Sequence, residues 1–238
     1  MNSNNGFGIA IYADGASVTE MIAAHRRGLA DGFTTNPTLM AKAGVPDYRG
    51  FAREVLAAIP DLPISFEVIA DEFDEMGRQA REIASWGENV FVKVPICNTR
   101  GETSVPLVRA LSREGVKVNV TAVLTLDQVR AVADAVAEET PSIISIFAGR
   151  IADTGRDPIP VMREAVEICS ARPGLRVLWA SPREVLNVYQ AEACGCHIIA
   201  MTMDLLGKLH LRGKDLTEFS RETVQMFYDD ACRAGYTI

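Results

Sequence analysis

No apolar run in the chain approaches the roughly 20 residues that a membrane-spanning helix needs. The start, MNSNNGFG, has no basic stretch followed by an apolar core, so no secretory signal is expected. Basic residues are in the minority: 24 Lys and Arg against 31 Asp and Glu give a net charge of −7. That deficit, with no basic stripe, argues against nucleic-acid binding, which needs cations clustered along a phosphate backbone. It leaves room for a small anionic ligand, which a few local arginines can hold. Histidine is scarce, and His25, His197 and His210 lie too far apart for a metal-ligand spacing. The five cysteines, Cys97, Cys169, Cys194, Cys196 and Cys232, are odd in number in a chain of 238 residues. A disulfide framework is therefore not expected. Cys194-Gly-Cys196 is the only tight pair, and no second pair exists to complete four zinc ligands. Free thiols fit a reducing cytoplasm, and neither metal nor other cofactor is expected. No Ser-, Gly- or Pro-rich linker and no charge block divides the chain, so a single domain over residues 1–238 is expected.

What is present is a recurring unit. Short, continuous, β-branched runs stand at Phe7–Ala13, Gly32–Thr35, Ile64–Ile69, Val90–Val94, Val116–Thr121, Ile143–Phe147, Val177–Ala180 and Ile198–Met201. Continuous rather than alternating runs mark strands buried on both faces. Helical patterns fill the intervals. Ser17 followed by Glu20 reads as a capping box. Phe73, Met76, Ala80, Ile83 and Ala84 share one side of a helix over 73–86. Leu126, Val129, Val132, Ala133 and Val136 do the same over 126–139. Asp157-Pro158 and Ser181-Pro182 both read as helix starts, the second opening a helix over 183–193. Strand, loop and helix repeated eight times predict an α/β fold, a (β/α)8 TIM barrel over about 7–212. A doubly wound sheet would want a Gly-rich phosphate turn after the first strand, and Ala13-Asp14-Gly15-Ala16 is not one. An additional C-terminal helix, Leu216–Ala234, carries Phe219, Val224, Phe227, Tyr228 and Ala231. Its apolar face must be covered by the barrel exterior or by another subunit.

In such a barrel the chemistry sits at the C-terminal ends of the strands. The polar residues there are Asp14; Thr34, Thr35 and Asn36; Glu67; Lys93; Asn119 and Thr121; Ser145 and Arg150; Ser181 and Arg183; and Asp204. The steps from Asn36 through Glu67, Lys93, Asn119, Arg150 and Ser181 are 31, 26, 26, 31 and 31 residues. Polar groups that recur once per unit converge on one mouth. Lys93 lies amid Val90, Phe91, Val92, Val94, Pro95 and Ile96. Burial disfavours an ammonium, and a neutral amine can attack a ketone to form a Schiff base, an electron sink for C–C cleavage. The alternatives are a lysine snorkelling to the rim or one paired with Glu67 or Asp14. Glu67 and Asp14 would supply proton transfer to such chemistry, or else hold Lys93 charged. Arg150, Ser181 and Arg183 suit a phosphate monoester, with Arg183 expected in the first turn of a helix whose free N–H groups favour an anion.

These residues resemble the transaldolase family, in particular its short subfamily with the fructose-6-phosphate aldolases. The resemblance lies in Asp31-Gly32-Phe33-Thr34-Thr35-Asn36-Pro37-Thr38, Val92-Lys93-Val94-Pro95, Asn119-Val120-Thr121, Phe147-Ala148-Gly149-Arg150-Ile151 and Ala180-Ser181-Pro182-Arg183. It implies a metal-free class I mechanism with Lys93 as the Schiff-base lysine and Asp14 as acid/base. It implies that Glu67 activates a catalytic water that Thr121 positions. Thr35, Asn36, Asn119 and Ser145 would hold the sugar, and Arg150, Ser181 and Arg183 its phosphate. Glu67, Phe147 and Asn119 are of the transaldolase type, where the aldolases resemble Gln, Tyr and a non-Asn residue. Phe147 has no hydroxyl to protonate the enamine, so transfer of a dihydroxyacetone unit from a ketose phosphate to an aldose phosphate is implied. An aldolase releasing a free C3 ketone, a specialised biosynthetic transaldolase and an inactive sugar-phosphate-binding barrel are the alternatives. The resemblance further implies sugar-phosphate partners, pentose phosphate metabolism, and a homo-oligomer of five or ten chains whose last helix reaches a neighbour. The stretch Cys97–Thr103 is longer and more polar than the family's usual loop after the lysine strand.

Overall fold

A computed structural model describes residues 6–237. In chain order its elements are β1 (Ala10–Asp14), α1 (Val18–Arg26), β2 (Gly32–Thr34), α2 (Pro37–Lys42), α3 (Tyr48–Ala58), β3 (Ile64–Glu67) and α4 (Phe73–Ala84). Then come β4 (Val90–Pro95), α5 (Val105–Arg113), β5 (Val118–Val123), α6 (Leu126–Ala133), β6 (Ser142–Ile146), α7 (Ala148–Asp153) and α8 (Ile159–Ser170). The chain continues through β7 (Leu175–Trp179), α9 (Leu186–Ala193), β8 (Ile198–Thr202), α10 (Met203–Gly207) and α11 (Leu216–Ala234). The strands run β1 to β8 in sequence order as a closed parallel barrel, with β1 pairing β8. The TIM barrel read from the repeating apolar runs is therefore the fold. None of the helices among the described residues is long and apolar enough to cross a membrane.

The continuous runs have two buried faces to fill. Tyr12, Ile143, Leu178, Ile198 and Ala200 pack together inside, joined by Ala10, Phe91 and Phe147. Their neighbours Ile11, Phe33, Phe66, Val92, Ile144, Val177 and Ile199 are also fully or almost fully buried. These meet the apolar stripes of the surrounding helices, among them Met21 of α1, Val55 of α3, Met76 and Ala80 of α4, and Leu111 of α5. Gly32 is required by this packing, because a Cβ there would lie 2.6 Å from the Tyr12 ring.

Helix signals in the sequence hold at some ends and fail at others. Ser17 accepts the Glu20 N–H and so caps α1. The Asp157 carboxylate accepts the Ile159 N–H, but Pro158 occupies the cap position and α8 starts one residue later than read. α6 ends at Ala133, six residues short of the expected end, and a reciprocal Thr125–Gln128 box opens it. The helix expected from Arg183 begins only at Leu186. The short helices α2, α7 and α10 have too few residues to leave a periodic stripe.

The chain separates into two compact units, the first ending at Leu206 and the second starting at Gly207. The second has a 3-10 turn, Lys208–Leu211, and then α11, whose bounds match those read from the sequence. Asp215 accepts the Glu218 N–H at its start, and Gly235 ends it at a φ of 69°. α11 exposes Leu216, Phe219, Val224, Met226, Phe227 and Tyr228.

Candidate active site

The barrel register sets three polar side chains abreast. Glu67 on β3 pairs with Lys93 on β4, and Lys93 pairs with Asn119 on β5. Residues in register on adjacent parallel strands project to the same face. Lys93 is buried, with 6% of its surface exposed. Its Nζ lies 3.1 Å from Glu67 Oε2 and donates to the Thr35 carbonyl at 3.0 Å. Of the pairings open in the sequence, that with Glu67 is the one formed. Asn119 donates to Ser65 Oγ at 3.1 Å and accepts from the Ser145 hydroxyl at 2.7 Å. Thr121 is buried, and its hydroxyl makes no hydrogen bond in the structure.

Asp14 closes β1 opposite this row. Its Oδ1 accepts from the Thr34 hydroxyl at 2.7 Å, and Asn36 Nδ2 lies 3.5 Å from its other oxygen. Burial pushes the Asp14 carboxyl above its ordinary value; the nearby Lys93 charge and the Thr34 hydrogen bond oppose this without cancelling it. Asn36 is fixed as the N-cap of α2, where its side-chain oxygen accepts the Leu39 N–H at 2.9 Å.

Across the mouth lies a strained region. Ala122 and Ser181 have φ of 59° and 60°, and are the only non-glycine residues with positive φ among those described. Both line the same cavity. Ala122 falls where the β5–β6 register shifts between Val120 and Val123. Backbone strain of this kind clusters at functional sites. Gly149 of α7 lies so close to this region that a Cβ there would be 1.6 Å from the Ser181 carbonyl oxygen.

The expectation for Arg183 needs correction. Ser181 cannot act as an N-cap, a role that wants an extended residue, because it is left-handed. The N–H groups of Arg183 and Glu184 are instead taken by the Asn187 side chain, at 2.7 and 3.2 Å. Arg183 therefore lies in a loop before α9, and its guanidinium pairs with Asp153. Its place by the site rests on its own charge and not on a helix terminus.

A cavity of about 450 Å³ opens at this end of the barrel. Asp14, Asn36, Glu67, Lys93, Thr121, Ser145, Phe147, Arg150, Ser181 and Arg183 line it. Of the residues singled out in the sequence, Thr35, Asn119 and Asp204 are not in that lining; Asp204 is exposed in the first turn of α10. Thr35 contributes its carbonyl to Lys93, and Asn119 works through Ser65 and Ser145. The lining also holds Thr34, Ala122, Leu178, Ala200 and Thr202. Two-residue alternation from Asp14 and Glu67 would have found Tyr12 and Ser65 on the inner face. Nothing in the strand pattern points to Tyr48 on α3, which grips the Glu67 backbone from 19 residues away.

Comparison with known proteins identifies the family. The family described as Transaldolase/Fructose-6-phosphate aldolase matches residues 11–237. A "Probable transaldolase" of Dehalococcoides mccartyi is 34% identical over 82% of this chain and 88% of its own length. A "Probable transaldolase 2" of Listeria monocytogenes is 36% identical over 83% of this chain and 87% of its own. One from Thermoanaerobacter sp. is 32% identical over 95% of this chain and 99% of its own. Among solved structures, KGPDC from Streptococcus mutans overlaps with a TM-score of 0.56 at 13% identity. It covers 84% of this chain and 90% of its own, and that likeness speaks for the barrel fold alone. The protein belongs to the transaldolase/fructose-6-phosphate aldolase family and is an enzyme of the transferase or aldolase kind.

Proposed function

We propose that the protein is a transaldolase moving a three-carbon dihydroxyacetone unit from a ketose phosphate, such as fructose 6-phosphate or sedoheptulose 7-phosphate, to an aldose phosphate. The observation that carries this is the buried Lys93 amine, 3.1 Å from the Glu67 carboxylate on the wall of a cavity that also holds Asp14, Arg150 and Arg183. Loss of a proton to Glu67 frees the Lys93 lone pair to attack the ketose carbonyl carbon. Water then leaves and an iminium forms. Asp14 takes the proton from the hydroxyl beyond the bond to be cut; that bond breaks, its electrons pass into the iminium, and the aldose departs. The raised affinity of Asp14 for a proton suits a group that must take one up and return it. The enamine attacks the carbonyl carbon of the acceptor aldose and becomes an iminium again, Asp14 protonates the alkoxide so formed, and water held by Glu67 and Thr121 hydrolyses the iminium to release the product.

Arg150, Ser181 and Arg183 would hold the phosphate, and Asn36, Asn119 and Ser145 the hydroxyls of the three-carbon unit. Phe147, which lines the cavity, offers no hydroxyl to quench the enamine. The reading also carries a cytoplasmic homo-oligomer acting on sugar phosphates in pentose phosphate metabolism, without metal, nucleic acid or membrane.

Incubation with fructose 6-phosphate, with and without erythrose 4-phosphate, tests the reaction. Acceptor-dependent turnover is expected; turnover indifferent to acceptor would make the enzyme an aldolase. Borohydride trapping with fructose 6-phosphate should add mass at Lys93. Lys93→Ala should abolish turnover and leave the circular dichroism spectrum intact.

A further inference from the structure

The end of β3 outruns its neighbour. β2 stops at Thr34, with only Phe33 and Thr34 in register with Ile64 and Ser65. After that the chain turns into α2, capped by Asn36. In a parallel ladder, alternate residues bond to opposite neighbours. Ser65 receives the Thr35 N–H on the β2 side, and Val68 donates to the Lys93 carbonyl on the β4 side. Glu67 therefore directs its N–H and C=O towards β2, past the point where β2 has ended. Backbone groups left unpaired away from water are costly.

One oxygen takes both. The Tyr48 hydroxyl of α3 accepts the Glu67 N–H at 2.7 Å and donates to the Glu67 carbonyl at 2.9 Å. The ring is held edge-on against Phe66 and Trp86, with centroids 6.3 and 5.8 Å away. Burial keeps the phenol protonated well above its usual range, so it remains a donor.

We propose that Tyr48 is a positioning residue: its hydroxyl stands in for the missing strand neighbour and fixes the backbone from which the Glu67 carboxylate reaches Lys93. This rests on the Schiff-base reading above. It adds to it a fourth side chain, on an outer helix, on which the chemistry at Lys93 depends without touching substrate.

Tyr48→Phe keeps the ring packing and removes both hydrogen bonds. The rate of borohydride-trapped adduct formation at Lys93 with fructose 6-phosphate should fall about tenfold, as should kcat, with KM within twofold of the parent. In a Glu67→Gln background the same change should have no further effect, because coupled residues are not additive. Thr140→Val is the control: it removes a buried hydroxyl hydrogen bond to the Ser112 carbonyl at the opposite end of the barrel. It should lower the melting temperature and leave trapping unchanged. Unchanged trapping in Tyr48→Phe, an equal loss in the Glu67→Gln background, or an equal loss in Thr140→Val would overturn the role. No adduct on the parent protein would instead bring down the Schiff-base reading, and this role with it.

Discussion

Asp14 ends β1 among Thr34, Asn36 and Lys93, and burial raises its affinity for a proton above that of an ordinary aspartate. The folded state then binds a proton that the unfolded chain releases near its ordinary value of 3.8. Stability contributed by this group is present below that value and is lost as pH rises through the folded-state value. Above that value the fold thus bears the cost of burying this acidic group where proton transfer needs it. Asp14→Asn is expected to raise the melting temperature at pH 7.5, with the gain vanishing below about pH 4 as the parent becomes protonated in both states. Turnover should fall by about 10²-fold or more, the usual worth of a general acid/base. Thermal unfolding from pH 3.5 to 8 beside kinetics checks both, and a lower melting temperature at pH 7.5 would contradict the account. Arg183 is a simpler case. Removing a charged hydrogen bond to substrate costs about 1.5–3 kcal/mol, so Arg183→Ala should raise KM for a phosphorylated ketose by roughly 10- to 100-fold. An unchanged KM would remove it from the phosphate site.

The loop between β7 and α9 depends on a glycine in another element. Gly149 has room for no side chain because the Ser181 carbonyl lies where its Cβ would be. The clash is with backbone, so relief requires moving Ser181, and Arg183 moves with it. Gly149→Ala should destabilise the fold by about 1–3 kcal/mol, as forced overpacking does. It should also raise KM for phosphorylated substrates more than it lowers kcat. Calorimetry with steady-state kinetics tests this, and a variant with parental stability and KM would refute it. The strands themselves were legible because burial on both faces leaves an unbroken apolar run. Their ends were less so: β1 and β8 run one residue further than read, to Asp14 and Thr202, polar residues that pair in the barrel ladder, whereas β3 stops at Glu67, two residues short of the Ile69 read from the sequence. The lysine row was legible through the spacing of polar residues from unit to unit. The setting of Arg183 was not, because Ser-Pro fits a helix cap and a left-handed turn equally well until φ is known. Tyr48 was hidden because its partner is backbone, and a backbone group carries no sequence signal.

Across the molecule, apolar side chains are buried in the barrel, and most of the large exposed ones lie on one helix. Val224, Phe227 and Tyr228 fall at i, i+3 and i+4 on α11, so they share one face, and all three are exposed. Leu216, Phe219 and Met226 add to the apolar surface of the same helix. Charged pairs such as Arg221–Glu218 and Arg233–Asp230 lie along it as well, so the helix is amphipathic with its apolar side open. Contiguous apolar surface of this kind marks an interaction site, and a net charge of −7 opposes indiscriminate aggregation. A closed assembly of identical chains satisfies both conditions, since it buries the stripe and then stops growing. Light scattering coupled to size exclusion should therefore give a mass several times the 25.9 kDa of one chain, as a ring of five or a pair of rings would. Phe227→Asp with Tyr228→Asp should shift the protein to smaller species and leave the barrel's circular dichroism unchanged, since none of the α11 side chains is buried. A parent protein that elutes as a monomer, or a double variant that keeps the parental mass, would show that α11 does not hold the assembly together.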